Sequence, residues 1–185
     1  MEDKQIVDLF WERSETAISE TKKKYGRYCH YISYRILNND SDAEEIVNDT
    51  YLKAWNTIPP KRPESLKTYV GMISRQLSLN RYEQEHTQKR SGHVALVIDE
   101  LSECIPEQMS VGNLTDGIAL KDLLNEFIWG LPELTRKIFV RRYWYAASIA
   151  EISEEYSMKE SSVTVLLLRT RKKLKKHLSK EGFDV

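Results

Sequence analysis

A short helix followed by a basic helix near the C-terminus carries the residue types that grip the phosphates of duplex DNA. Ser148 and Glu151 have the spacing of a capping box, which begins the first helix. Ser157 to Lys159 interrupts the helical pattern, and a second helix is predicted from about Glu160. Two helices joined by a tight turn are typical of DNA-reading modules. The later turns of the second helix hold six cations suited to phosphate contacts: Arg169, Arg171, Lys172, Lys173, Lys175 and Lys176.

The first turns of the second helix are predicted to face base edges in the major groove. The candidate residues there are Lys159, Glu160, Ser161, Ser162 and Thr164. The residues expected in the core recur at helical spacing and are Val163, Leu166, Leu167 and Leu174. Val165 to Leu168 are four consecutive apolar residues, although a helix buries only one stripe. One or two of them must therefore meet DNA methyl groups, another protein surface or solvent.

The charge of the chain is divided into blocks that the balanced total of 28 basic and 28 acidic residues hides. Residues 61–90 carry seven basic and three acidic side chains, and residues 136–180 carry twelve and four. Residues 91–135, between them, carry one basic and eight acidic side chains. This asymmetry indicates contact with nucleic acid at two places, separated by a segment that nucleic acid repels.

The sequence gives little support to an enzyme or a metal site. His86, His93 and Cys104 lack the spacing of a zinc site, and His30 and His177 lie far from them. The chain has neither a phosphate-binding glycine loop nor a nucleophile elbow. We therefore expect a protein without catalytic activity, metal or cofactor.

The expected location is the cytoplasm, without membrane insertion. No apolar run approaches the roughly 18 residues of a membrane-spanning helix, and the acidic N-terminus lacks the pattern of a signal peptide. The two cysteines, Cys29 and Cys104, do not indicate a disulfide scaffold and fit a reducing compartment.

Helical periodicity over most of the remaining sequence predicts an all-α fold. Ser41 and Glu44 have the spacing of a capping box. The helix that they begin has an apolar stripe and ends at Pro59-Pro60. The stripe consists of Ala43, Ile46, Val47, Thr50, Tyr51, Ala54 and Trp55. Further helices are predicted at about Leu66 to Glu85, at Thr115 to Gly130, and from Pro132, in the first helical turn, to about Tyr145.

Residues 91–112 show no lasting helical period, and we expect an acidic linker with one apolar run at Val94 to Ile98. The sequence thus predicts two small helical domains, residues 1–90 and residues 113–185, joined by this linker.

Two segments resemble bacterial sigma factors of the sigma-70 family, most closely the two-domain extracytoplasmic-function (ECF) group. Asp42 to Trp55 is similar to the polymerase-binding helix of that family, and Leu131 to Leu174 is similar to its C-terminal promoter-reading domain. The resemblance covers roughly residues 20–90 and 115–178. It implies a sigma factor that binds core RNA polymerase, directs promoter recognition and initiation, and is held inactive by an anti-sigma partner.

The resemblance also implies roles for two sets of residues in the first domain. Core polymerase would be gripped by the helix face opposite the apolar stripe, which holds Glu45, Asn48, Asp49 and Leu52. The upstream promoter element, the minus-ten element, would be opened and held by Lys61, Arg62, Ser65, Lys67, Thr68, Tyr69, Arg75, Gln76, Asn80 and Arg81. Tyr69 has the alternative of a core aromatic. In the linker, Asp99, Glu100, Glu103 and Glu107 would mimic nucleic-acid charge in polymerase channels, or would simply be solvated.

Departures from the family pattern leave the base preference open and keep an alternative function in view. They lie at Pro60, Met72, Gln76 and Asn80, and in the apolar run from Val165 to Leu168. The alternative is a DNA-binding transcriptional regulator of sigma-like fold without initiation activity.

Overall fold

The computed structural model describes residues 1–85, 93–104 and 114–181, and these residues form helices and no strand. The chain divides into two compact units, Met1–Ser91 and Gly92–Val185. The first unit contains α1 (Asp3–Trp11), α2 (Thr16–Leu37), α3 (Asp40–Thr57) and α4 (Leu66–Glu85). The second contains α5 (His93–Ser102), α6 (Leu114–Gly130), α7 (Glu133–Tyr143), α8 (Ile149–Glu155) and α9 (Glu160–Lys180). The predicted fold class, all-α with two small helical domains, is confirmed.

Membrane-crossing helices are not found in these ranges. None of the helices that the structure describes combines the length and the apolar character that a bilayer span requires.

The first unit is built on the mutual packing of α2, α3 and α4, with α1 lying against α2 and α4. The apolar stripe predicted for α3 is buried from Ala43 to Ala54, and Trp55 packs at its edge. Its neighbours in the core are Ile6, Phe10, Ala17, Cys29, Ile58, Leu66 and Val70. Because the apolar stripe of α3 is buried in the core, the opposite side of the helix can face solvent or contact a partner.

Asp3 links three helices of the first unit. Its Oδ1 accepts hydrogen bonds from the Lys24 ammonium and the Tyr25 hydroxyl on α2, and its Oδ2 accepts from the backbone N–H of Leu66 at 3.1 Å, where α4 begins. Although burial acts in the opposite direction, the hydrogen bonds from Lys24 and Tyr25 hold the pKa of Asp3 below its ordinary value of 3.8.

Two helix starts differ from the sequence prediction. The capping box expected at Ser41 and Glu44 is wrong, because Asn39 is the N-cap and α3 begins at Asp40, two residues before the start that a Ser41 cap implies. The Asn39 side chain accepts from the backbone N–H groups of Ser41 and Asp42 at 3.0 and 3.3 Å. Pro132 is the N-cap of α7 and does not lie in the first helical turn.

The second unit has a core organised around one stripe of α9. The stripe consists of Val163, Leu167, Thr170, Leu174 and Leu178, all of which are buried. It packs with Ile138 and Phe139 of α7 and with Ile152 of α8. The helix-turn-helix that the sequence predicted therefore has its second helix fixed in rotation by the core.

The expectation that residues 91–112 lack a helix is wrong for their first part. Residues 93–102 form α5, and Val97 and Cys104 join the core of the second unit. The imidazole of His93 is 2.8 Å from the carbonyl oxygen of Ala146. The proposed domain boundaries near residues 90 and 112, and Glu107, lie outside the described residues.

Glu100 on α5 joins an ion cluster with α7 and α9. Its carboxylate accepts from Arg142 at 2.6 and 3.2 Å and from Arg171 at 3.2 Å. The hydroxyl of Tyr143 donates to Glu100 and accepts from Arg171 at 2.7 Å. Burial raises the pKa of Tyr143 to about 12, so the phenol keeps the proton that it donates. Glu100 is thus a structural ion partner, which the sequence placed in a solvated or polymerase-facing linker.

The lowered pKa of Asp3 predicts an acid-sensitive contribution to the stability of the first unit. A carboxylate with a lowered folded-state pKa stabilises fully above its unfolded pKa, here 3.8, and loses that contribution as the pH falls through the folded-state value. We expect Asp3→Asn to lower the free energy of unfolding by about 1 kcal/mol at pH 7. The difference from the unchanged protein should shrink below pH 3.8 in urea unfolding followed over pH. A difference that is constant with pH would contradict this role.

Glu100→Gln is predicted to destabilise the second unit by about 2 kcal/mol, because nearly buried Arg142 loses its charged partner. Amide hydrogen exchange of α5 and α9 under native conditions measures this effect without requiring the two units to unfold together. Asp99→Asn, at an exposed neighbouring position, makes the same change of charge and is the control. Equal loss of protection in the two variants would contradict the prediction.

Candidate nucleic-acid and protein interfaces

The outward face of α3 presents four candidate residues together. Glu45, Asn48, Asp49 and Leu52 are all exposed, at the spacing that aligns them along one side of the helix. Leu52 is 58% exposed although it is a large apolar residue. The face therefore offers two carboxylates and an amide around an accessible leucine, a combination that suits a partner with basic and apolar groups.

An open recess between α2 and α3 adjoins this face, and sequence reasoning missed it. The recess has a volume of about 630 Å³, and Asn48 lines it together with Arg27, His30 and Glu44. The signal in the sequence is Gly26 in the middle of α2. A Cβ at that position would lie 3.1 Å from the hydroxyl oxygen of Tyr51, so the glycine leaves room for this α3 side chain against α2.

Arg81 connects two sets of residues that the sequence assigned to different interfaces. Its guanidinium lies 2.7 Å from the carboxylate of Glu45 and 3.2 Å from that of Asp42. The hydrogen bond that Arg81 donates to Asp42 and the charge of Glu45 raise the pKa of Arg81. Arg81 is consequently occupied by α3, and a partner that binds Glu45 meets an ion pair rather than a lone carboxylate.

Several residues expected to bind DNA before and at the start of α4 make intramolecular contacts. Arg62 pairs with Asp8 and lies over the ring of Trp11, and the Lys67 ammonium lies 5.2 Å from the ring centroid of Tyr28. The hydroxyl of Ser65 accepts from the backbone N–H of Thr68 at 3.2 Å. Lys61 is exposed.

Tyr69 and Arg75 lie away from the outer surface of α4. Tyr69 is half-buried against the core, and its hydroxyl donates to Thr57 Oγ1 at 2.8 Å. The contacts of Tyr69 thus favour the core-aromatic alternative. Arg75 is partly buried, and burial lowers its pKa.

The outward stripe of α4 consists of Thr68, Met72, Gln76 and Asn80, four residues apart. Met72 is 59% exposed, and the Gln76 side-chain amide donates to Asn80 Oδ1 at 2.8 Å. This surface offers an apolar side chain for the face of an unpaired base and amide groups for its edges. The sequence marked Met72 only as a departure from the family pattern. Its position in the same stripe as Gln76 and Asn80 could have identified it as a surface residue.

The helix-turn-helix has the local structure that its sequence predicts. The Ser148 hydroxyl accepts from the Glu151 backbone N–H at 3.1 Å, and the Glu151 carboxylate accepts from the Ser148 N–H at 2.6 Å, which completes the capping box. The turn after α8 places Ser157 in a left-handed conformation with φ of 51°, and the Met158 N–H donates to the Ser153 carbonyl at 2.9 Å.

The start of α9 exposes every candidate base-contacting residue: Lys159, Glu160, Ser161, Ser162 and Thr164. Of the four consecutive apolar residues after it, some are buried and some are exposed, as expected for a helix that buries one stripe. Leu167 is buried, Leu166 is partly buried, and Val165 and Leu168 are 43% and 42% exposed. An open recess of about 510 Å³ beside this surface is lined by Thr135 of α7 and by Ser161, Ser162, Val165, Arg169 and Lys173 of α9.

The cations of α9 do not all face the same way. Arg169, Lys172 and Lys173 are exposed, whereas the Arg171 side chain is only 15% exposed and pairs with Glu100 and Tyr143. We therefore remove Arg171 from the set of phosphate-contacting residues. The sequence could not show this, because the pairing partner Glu100 lies 71 residues away.

Two segments of the chain, which together contain these surfaces, match known protein families. Residues 22–87 match Sigma-70 region 2, and residues 121–174 match Sigma-70, region 4. The two matched segments together span more than half of the chain. The chain belongs to the sigma-70 family. No curated protein matches the chain.

Membership of the sigma-70 family gives the chain a role in promoter recognition, with core RNA polymerase and promoter DNA as its partners. The region 2 match takes in most of α2 and all of α3 and α4, and the region 4 match runs from α6 into α9 as far as Leu174. The α5 helix lies between the two matched segments, although it packs in the unit that contains region 4.

The orientation of the cations on α9 predicts which of them contribute to the salt dependence of DNA binding. With about five phosphates neutralised, the log–log slope of affinity against salt should be about −4 to −5. Lys173→Ala should reduce its magnitude by about 0.9, because one phosphate contact is lost. Arg171→Met should leave it unchanged, because contacts with Glu100 and Tyr143 hold the Arg171 side chain away from the surface. Anisotropy titrations of duplex DNA at several salt concentrations measure both slopes, and an equal reduction in the two variants would contradict the assignment.

Proposed function

We propose that the chain is a sigma factor of the ECF group that docks on core RNA polymerase through the outward face of α3. In this proposal, α4 holds the opened upstream element, and α9 reads the more distant minus-thirty-five element as duplex. The observation that carries the proposal is the presence of exposed faces of suitable chemistry in both matched regions. The region 4 match is to a variant of that region typical of ECF sigma factors, which supports the subgroup.

Docking by α3 is supported by the exposure of Leu52 beside two carboxylates. Burial of an exposed leucine against a partner favours binding. The carboxylates set the orientation of a basic partner. Glu45 and Asp49 lie on the side of α3 that the core does not use. Because Glu45 is also paired with Arg81, the proposed contact exchanges or extends an existing ion pair.

Contact with the opened element is supported by the stripe of Thr68, Met72, Gln76 and Asn80. The cations Arg62, Lys67 and Arg81 already have intramolecular partners, so this stripe is better suited to bases than to phosphates. Lys61 remains the proposed phosphate contact before α4. Tyr69 acts in this proposal by supporting the start of α4 through Thr57.

Control by an anti-sigma protein is part of the proposal. The same exposed faces that serve polymerase and DNA offer surfaces that an inhibitor can cover. We also propose that the protein works in the cytoplasm, where its polymerase partner is, that it catalyses no reaction, and that its two units, Met1–Ser91 and Gly92–Val185, are its two functional domains. Members of the family are regulators without catalysis of their own, which supports the absence of enzymatic activity.

The docking proposal predicts the effect of reversing charge on α3. The double variant Glu45→Lys and Asp49→Lys should reduce co-purification with core polymerase at least tenfold, because a basic partner then meets like charges. The measurement is the amount of polymerase retained by the tagged chain at physiological salt.

The matched control is the double variant Glu12→Lys and Glu15→Lys, which makes the same change of net charge at exposed positions in the first unit. Circular dichroism checks that both variants keep their helical content. Retention of polymerase by the α3 variant at the level of the control would exclude this face as the docking site. Retention of polymerase by the unchanged chain without promoter-dependent RNA would instead favour a regulator that does not initiate transcription.

A further inference from the structure

The outward face of α9 carries an apolar pair among polar and basic residues. Val165 and Leu168 are three residues apart, so they are neighbours on the helix surface. At 3.6 residues per turn, each lies about 100° or more around the helix from Val163, Leu167 and Leu174 of the buried stripe. A small rotation of α9 therefore cannot bury Val165 and Leu168 in the core.

We infer that Val165 and Leu168 read thymine methyl groups in the duplex element contacted by the second unit. This inference rests on the proposed function and specifies its base chemistry. In the major groove, the C5-methyl of thymine is the apolar group that a base pair presents. Aliphatic side chains cannot form hydrogen bonds, so their contribution to base choice is contact with that methyl group.

The surroundings of the pair favour duplex DNA as the occupant. Ser161 precedes Val165 by one turn and provides a hydroxyl for a base edge, while Arg169 and Lys172 follow on the same side and are exposed. A face with hydroxyls and cations on both sides of an apolar centre complements a groove whose walls are phosphates and whose floor contains methyl groups. The recess beside Val165, lined by Thr135 and Ser162, adds hydroxyls at the same surface.

The spacing of the two residues predicts where the thymines lie. Three residues advance an α-helix by about 4.5 Å, and successive bases on one strand are about 3.4 Å apart. Val165 and Leu168 can therefore contact one shared methyl group, or separate methyl groups on adjacent or next-but-one base pairs. The predicted preference is for two thymines within about three consecutive base pairs.

Replacement of thymine by deoxyuridine tests the inference, because uracil pairs as thymine does and lacks only the methyl group. Promoters are first selected with the full chain bound to core polymerase, and each thymine of the duplex element is then replaced singly. We expect binding to weaken about fourfold at one or two positions, the effect of losing one buried methyl-sized group. Val165→Ala or Leu168→Ala should weaken binding to thymine DNA by a similar factor and abolish the effect of uracil at one position.

The matched control is Leu96→Ala, an exposed leucine of the second unit on α5, which should keep the full effect of uracil. Promoter selection with tolerance of uracil at every position would overturn this inference and leave the proposed function intact. Equal losses for the α9 variants on thymine and uracil DNA would assign the apolar pair to a protein partner and would also overturn it. Absence of any selected promoter would overturn the proposed function, and the inference with it.

Discussion

The buried stripe of α9 is the constraint on which the surface proposed to face DNA depends. Val163, Leu167 and Leu174 pack into the second unit and fix the rotation of the helix. Once that rotation is fixed, the residues opposite the stripe must face outward, whatever their polarity. This is why α9 presents an apolar pair between hydroxyls and cations. The core alone therefore determines which side chains of α9 are exposed. The stability of the unit and the surface proposed to choose bases thus depend on one helix orientation.

Internal ion pairs then decide which charges remain available to a partner. Glu100 forms ion pairs with Arg142 and Arg171, and Glu45 forms an ion pair with Arg81. Counting charges along the sequence overestimates the basic surface, because some cations hold helices together. The remaining exposed cations on α9 form a smaller but better defined set. In the first unit, several cations of α4 and of the loop before it also have internal partners. The exposed stripe of α4 therefore consists of polar and apolar side chains and not of basic ones.

Local patterns in the sequence predicted the elements whose causes are local. The capping box at Ser148 and the bounds of α4 follow from caps, prolines and helical period, and the structure confirms them. The sequence did not predict α5, because its helical form depends on contacts of Val97 and Glu100 with residues about 40 to 70 positions away. The inward position of Arg171 was missed for the same reason. The α3 face was predicted from the resemblance together with the apolar stripe, and the structure shows that its residues are exposed; its docking role remains a prediction.

Run-off transcription tests the central claim most directly, since it requires docking, promoter reading and opening by one chain. Core RNA polymerase is incubated with a library of promoter fragments, with and without the protein. The account predicts RNA that begins at a fixed distance downstream of a selected pair of elements, and only when the protein is present. Sequence-specific binding of the protein to DNA and to polymerase without any initiated RNA would contradict it.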